Sequence, residues 1–275
     1  MNRFLFFATV MAATACATSN PSSQMAERLT AASLGSHRSE KNIARNVYRH
    51  PVETLIFFGI EEDMTVLEIL PGGMSYSEVI APALLGTGRY RAAGIDASQP
   101  DLPDYQLKGQ ARMEQRFAAD ADVFGDVEIV ALTASGVSDL GGPESADMVV
   151  TFRNMHGWLR GGIADRVVES FYAVLRPGGV LGVVQHRAGP ATNADPTAFI
   201  GYLPEERVIA LVEGAGFVLE ARSEINANSA DEADYPKGVW TLPPTLMLGD
   251  EDRERYLAIG ESDRMTLRFR KPDRR

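Results

Sequence analysis

The chain has 275 residues, 45% of them hydrophobic and 23% charged, which suits one substantial buried core and excludes a disordered or fibrous protein. Its formal net charge of −10 leaves no surplus of Lys and Arg to displace counterions from a phosphate backbone, so nucleic acid is not an expected partner. No repeat period and no long Ser/Gly/Pro-rich divider occur after residue 30, which excludes a solenoid and favours a single domain.

The N-terminus has a character of its own. Arg3 precedes the apolar run Phe4 to Met11, and small residues follow from Ala12 to Ala15. This is the layout of a secretory signal, and the run is too short to span a bilayer as a mature helix. Ala13-Thr14-Ala15 offers a small-x-small cleavage site just before Cys16, the only cysteine. The arrangement resembles a bacterial lipobox, in which that thiol is lipidated; an ordinary signal peptide is the other reading. The expectation is a signal over 1–15, a small, polar tether over 16–38 and one domain over 39–275. The protein would then be exported, periplasmic or membrane-anchored, with the membrane touched only through a lipid at Cys16.

Strands and helices alternate from there on. Thr65 to Leu70 is a largely apolar run ending in Pro71-Gly72-Gly73, which predicts a buried parallel strand followed by a turn. Tyr76, Ile80 and Leu84 recur at helical spacing, and Gly86 with Gly88 closes that helix. Arg91 to Asp96 is a second strand with an acid at its carboxyl end, and the polar segment from Ser98 to about Gly125 is expected to be part helix. Val127–Leu132 and Asp147–Phe152 are the third and fourth strands. Ile163, Val167, Phe171 and Val174 share one face of the next helix, which ends at Leu175-Arg176-Pro177-Gly178-Gly179 before the fifth strand, Val180–Val184. A helix carrying Val208, Leu211, Val212 and Ala215 leads to a strand over Phe217–Ala221. Residues 226–262 are expected to be mainly irregular. The closing strand, Met265–Arg270, is reached without a crossover helix and should enter antiparallel. Its arginines, with Lys271, Arg274 and Arg275, read as a solvated strand and tail. The pattern predicts an α/β fold: a Rossmann-like, doubly wound, mainly parallel sheet with an antiparallel last strand and helices on both faces.

In such sheets ligands bind beyond the carboxyl ends of the strands. Pro71, Gly72 and Gly73 follow the first strand, where glycines let a ligand approach the backbone. Asp96 follows the second, where a carboxylate can accept two hydrogen bonds from a ribose diol. A plain turn and a solvated acid are the alternatives. Arg153, Asn154 and His156 follow the fourth strand, and His186 and Arg187 the fifth. His156 could serve as a general base, or it could be a packed histidine beside Trp158. The four histidines, His37, His50, His156 and His186, show no metal-ligand spacing, so no metal site is expected.

The segments Val66–Gly73, Gly94-Ile95-Asp96, Asp147–Val150 and Leu175–Leu181, in this order, resemble the class I S-adenosylmethionine-dependent methyltransferases. The helix ending in Leu-Arg-Pro-Gly-Gly is the most specific of them. More narrowly, Tyr48–Pro51, Phe152–His156 and Lys237–Pro244 are similar to segments of exported bacterial predicted methyltransferases, and the likeness covers residue 40 to the C-terminus. It implies S-adenosylmethionine as cofactor, with Glu68 near its amino group, Gly72 and Gly73 beneath it and Asp96 at its ribose. The family's acidic-x-Gly-x-Gly-x-Gly loop is altered here: Leu70 and Met74 stand at the first and third glycine positions, where they would narrow the methionine space. The resemblance implies methyl transfer to a small or amphiphilic molecule, with His156, Arg153 and His186 as the candidate catalytic residues. An exported binding protein that keeps the fold without the transfer is the second hypothesis.

Overall fold

The structure, a computed structural model, describes residues 21–100, 102–133, 135, 138–189 and 200–274. The expected signal over 1–15 and Cys16 lie outside the described residues. In chain order the helices are α1 (Pro21–Ser33), α2 (Glu40–Ala44), α3 (Asn46–Arg49), α4 (Pro51–Phe58), α5 (Ser77–Leu84) and α6 (Asp104–Ala119). They continue with α7 (Ala121–Phe124), α8 (Met155–Arg160), α9 (Ala164–Val174), α10 (Glu205–Gly214) and α11 (Arg253–Ile259). The strands are β1 (Thr65–Ile69), β2 (Arg89–Ile95), β3 (Glu128–Leu132), β4 (Ala146–Phe152), β5 (Leu175–His186), β6 (Val218–Ser223) and β7 (Arg264–Arg270).

The seven strands form one sheet in the order β3-β2-β1-β4-β5-β7-β6. β1 runs parallel to both β2 and β4, and β7 is antiparallel to both β5 and β6. The chain thus winds outward from β1 in one direction, returns, and winds outward from β4 in the other. That reversal opens a crevice between the carboxyl ends of β1 and β4. Alternation along the strands builds two cores. Leu67, Val149 and Leu181 face Val167 and Phe171 of α9 and Val208 of α10. Val66, Ala92 and Val150 face Leu29 of α1, Phe58 of α4, Ile80 of α5 and Met113 of α6. A third, smaller cluster, including Tyr235, Val239, Leu242 and Tyr256, lies in the connection between β6 and β7.

Six strands begin and end within a residue or two of the expected positions. β5 starts earlier, because Leu175–Gly179 is already extended and Leu175 pairs with Ala146. There Arg176 forms an ion pair with Asp147, whose Oδ2 accepts from the backbone N–H of Thr65 at 2.7 Å and so ties β1 to the end of α9.

Two expectations are corrected. The tether expected over 16–38 is folded from residue 21, since Met25, Leu29 and Ala32 put one apolar face of α1 onto α5 and α4. The stretch 226–262 is mainly irregular, as expected, and carries a 3₁₀ turn at Gly238–Thr241 and the short helix α11. The arginine-rich last strand is not solvated. Arg264 is almost fully buried, and Lys271 donates to the carbonyls of Leu175 at 2.7 Å and Tyr172 at 2.8 Å, satisfying the end of α9.

Gly182, in the middle of β5, lets the ring of Phe58 lie directly on the sheet: an added Cβ would meet Phe58 Cδ2 at 2.5 Å. Gly182→Val should therefore lower unfolding stability by ~1–3 kcal/mol through overpacking, and Phe58→Leu should recover part of it. Urea denaturation of the single and double variants checks this.

Candidate active site

A cavity of about 350 Å³ opens at the crevice beyond β1, β4 and β5. Its floor is the turn from Leu70 to Tyr76, and one wall is Phe152 to His156 with His186. Arg45 and Arg49 from the helices before the sheet form a second wall, with Glu261 and Ser262 from the segment before β7. Val239, Trp240, Pro243, Pro244 and Thr245 cover it from the β6–β7 connection. Asn154 pins the crevice by donating to the carbonyl of Ile69 at 2.9 Å and to Thr151 at 3.1 Å.

The loop after β1 keeps a glycine-type backbone without the usual glycines. Leu70, Gly72 and Met74 all have left-handed backbones, with φ of 48°, 57° and 59°. For Leu and Met this conformation costs roughly 1–2 kcal/mol each, because Cβ crowds the following carbonyl. Met74 does not narrow the cavity as expected: its side chain is buried in the core beside α5. Leu70 does line it. No atom comes within 4 Å of a Cβ built on Gly73, and one built on Gly72 meets only the carbonyl oxygen of Leu70, at 3.8 Å.

Glu68 points from β1 toward α5 and is 1% exposed. Its Oε2 accepts from Tyr90 at 2.7 Å and Ser77 at 2.8 Å. Burial pushes its carboxyl up to about 7, against the opposing pull of these two hydrogen bonds and of the Arg153 charge.

Opposite lies a group of arginines around Glu261. Glu261 Oε1 accepts from Arg45 Nε at 2.5 Å, and Oε2 faces Arg49 Nε at 3.1 Å and Arg264 Nη2 at 3.3 Å. Burial alone would raise the Glu261 carboxyl, but Arg49, Arg264 and Arg45 together bring it down to about 2. Arg153 has a left-handed backbone at φ 65°, fixed by its N–H donating to Val184 at 2.7 Å. Its guanidinium, lowered to about 10 chiefly by burial and then by Arg264, stays charged at neutral pH.

The two histidines sit side by side, ring centres 5.8 Å apart, and His156 also meets Trp240 edge-on. Burial is the main cause that lowers His156, to about 4, and the Arg153 charge adds to it. His186 is lowered for the same two reasons and by His156 itself. Both rings are therefore neutral near pH 7. Gln185 Nε2 donates to the carbonyl of Gly201 at 3.0 Å and to His156 Nδ1 at 3.3 Å, which leaves the His156 proton on Nε2. His186 Nδ1 lies 2.6 Å from the Ser262 hydroxyl. If Nδ1 carries the proton there, His186 Nε2 is the acceptor of the pair.

Seven of the eight candidate residues thus meet at one cavity: Glu68, Pro71, Gly72, Gly73, Arg153, His156 and His186. Asp96 does not line it. Asp96 stands just past β2, and its Oδ1 accepts from the Ser98 hydroxyl at 2.6 Å and the Ser98 N–H at 3.1 Å. Arg187 points elsewhere, pairing with Asp263 at 2.8 Å and Glu224 at 2.6 Å. Sequence reasoning missed Arg45, Ser75, Glu261 and Ser262, which carry no local signal; Trp240 falls inside a segment singled out above, without a role assigned there.

No family model and no curated protein matches this chain. Solved structures do. A SAM-dependent methyltransferase from Aquifex aeolicus is similar with a TM-score of 0.51 and 16% identity, over 66% of this chain and 87% of that one. A SAM-dependent methyltransferase from Methanosarcina mazei gives 0.53 and 13% identity, over 80% and 98%. The fold is the class I methyltransferase fold. The 4+2 cyclase SpnF shares it too, with a TM-score of 0.55 and 13% identity over 91% of this chain and 94% of that one. At such identities the likeness is one of methyltransferase fold alone.

Glu68 makes the stability of this fold depend on pH. Its proton is held more tightly in the folded protein, near 7, than at the ordinary value of 4.5, so the attached stability is complete below about 4.5 and is lost as pH rises through 7. Glu68→Gln removes this loss. Urea unfolding should show the variant gaining on the parent by up to ~3 kcal/mol between pH 5 and 8, whereas a constant difference would contradict a buried, protonated Glu68.

Proposed function

We propose that this protein is an S-adenosylmethionine-dependent methyltransferase acting on a small or amphiphilic molecule. The observation that carries the reading is the loop after β1, whose three glycine positions hold left-handed backbones even where Leu70 and Met74 occupy them. A loop kept in this shape at a cost in strain has a use for the shape. The open space above Gly72 and Gly73 supports close approach of a ligand to the backbone.

The residues present fit the cofactor's methionine end. Glu68 is a buried carboxylate on the cavity, suited to an ammonium group; a bound cation would draw its proton off. The rings of Tyr76 and Phe152, stacked with centres 3.5 Å apart, present aromatic surface of the kind that favours a cationic sulfur. Asp96, just past the neighbouring strand β2, is the carboxylate that would accept from the ribose. When bound, S-adenosylmethionine supplies an electrophilic methyl group. The protein then holds an acceptor against it, with Trp240 and Pro243 excluding water and His186 taking a proton where the acceptor has one to lose.

Calorimetric titration of the full chain with S-adenosylmethionine, S-adenosylhomocysteine and NAD tests this. Both sulfur compounds should bind and NAD should not; binding of neither overturns the reading. Gly72→Val, which puts a branched side chain at φ 57° over the open space, should weaken S-adenosylhomocysteine by roughly tenfold or more, about 1.4 kcal/mol.

We further propose that residues 1–15 are an export signal and that the mature chain starts at Cys16. The charged, apolar and small segments in succession support this. Mass spectrometry of the protein recovered from its own cells should show an N-terminus at Cys16, with or without lipid, and an intact Met1 would refute it.

A further inference from the structure

The charges around the cavity do not balance. Arg45, Arg49 and Arg153 line it, with Arg264 behind Glu261. Both oxygens of Glu261 are already engaged by Arg45, Arg49 and Arg264. The other lining carboxylate, Glu68, is hydrogen-bonded to Ser77 and Tyr90. Three guanidinium nitrogens, Arg45 Nη2, Arg153 Nη1 and Arg264 Nη1, remain buried without a partner. Arg153 stands out among them: its side chain makes no hydrogen bond or ion pair among the described residues, and its backbone is left-handed. A buried cation that pairs directly with no carboxylate, on a strained residue, is costly unless something completes it.

The cofactor does not complete it. S-adenosylmethionine carries one carboxylate against an ammonium and a sulfonium, so it adds net positive charge to a site already rich in arginine. Arg153 also follows β4, on the side of the crevice leading to β5 and His186 and away from β2, where Asp96 stands. Both histidine rings are neutral and offer no competing charge there.

We propose that the methyl acceptor is a small organic anion, whose carboxylate or phosphate docks on Arg153 and the free Nη2 of Arg45. The inference rests on the methyltransferase reading and names the substrate class of the same cavity. The chemistry is charge-assisted hydrogen bonding from a guanidinium to an oxyanion. An anion there would also offset the Arg153 charge that helps hold His156 and His186 neutral, making each ring a better proton acceptor once the acceptor is seated. With a cavity of about 350 Å³ shared between the two ligands, the acceptor must be small.

The test is calorimetric titration of the full chain with S-adenosylhomocysteine, alone and in the presence of benzoate, phenyl phosphate or neutral benzamide. Benzoate or phenyl phosphate should tighten S-adenosylhomocysteine roughly fivefold or more, the low end of coupling between two sites, and benzamide should not. The stronger of the two anion arms tells a carboxylate acceptor from a phosphate one. Arg153→Met should abolish the anion effect and Arg153→Lys should retain part of it. Because it removes an unpartnered buried charge, Arg153→Met should melt no lower than the parent; Arg45→Gln is the second variant and should weaken the same effect. Binding of S-adenosylhomocysteine that is indifferent to both anions, or equally helped by benzamide, overturns this inference and leaves the methyltransferase reading standing. Failure of S-adenosylhomocysteine to bind on its own overturns the reading beneath it.

Discussion

Glu261 is a buried carboxylate that holds three arginines from distant parts of the chain, and the cavity takes its form from that arrangement. Arg45 and Arg49 come from the short helices before the sheet, and Arg264 opens the strand that enters it last. Without the carboxylate these cations would repel one another in a space that water reaches poorly, and the wall they form would open. The interaction holds because Glu261 stays ionised: three positive neighbours outweigh the cost of burying it and bring its carboxyl to about 2. A buried pair of this kind adds little net stability but punishes any rearrangement that leaves one partner alone. Its contribution is to place side chains rather than to stabilise the fold.

Several of the costs in this structure fall at the cavity. Leu70, Met74 and Arg153 have left-handed backbones, and the unpartnered nitrogens of Arg45 and Arg153 lie on the same cavity. Glu68 is a carboxyl whose ionisation burial opposes. Elsewhere the two faces of the sheet are packed with aliphatic and aromatic side chains in the ordinary way. Strain and incomplete pairing at a crevice suit a preorganised site, because groups already aimed at a ligand need not reorganise when it arrives.

Much of this could be read from the sequence, for reasons that differ between the parts. The central strands were legible because they are short, largely apolar runs buried on both faces, as in Val149-Val150-Thr151 of β4. The antiparallel β7 was expected because the sequence shows no crossover helix before it, and the short α11 found there does not carry the chain across the sheet. The helix α1 was not legible, because its inward apolar residues Met25, Leu29 and Ala32 sit among Ser, Thr and Ala, which also suit a tether. At the site, Glu68, Gly72 and His156 could be found because they directly follow or end strands. Arg45 and Glu261 could not, since their pairing joins residues far apart in the chain and leaves no spacing to read. The left-handed Leu70 and Met74 were visible only as departures from a glycine pattern. Side-chain size suggested a blocked loop, whereas the backbone kept the shape and sent Met74 into the core.

The pairing of Arg45 and Arg49 with Glu261 also sets an order of events in biosynthesis. The strands on the β1 side and the helices that cover them lie in the first part of the chain and can pair while the rest is still being made. The cavity has no second wall until the segment before β7 emerges and Glu261 reaches the two waiting arginines. A chain released early could thus be folded over half its sheet and still have no place to bind a ligand. For this protein, the capacity to act is among the last properties a growing chain acquires.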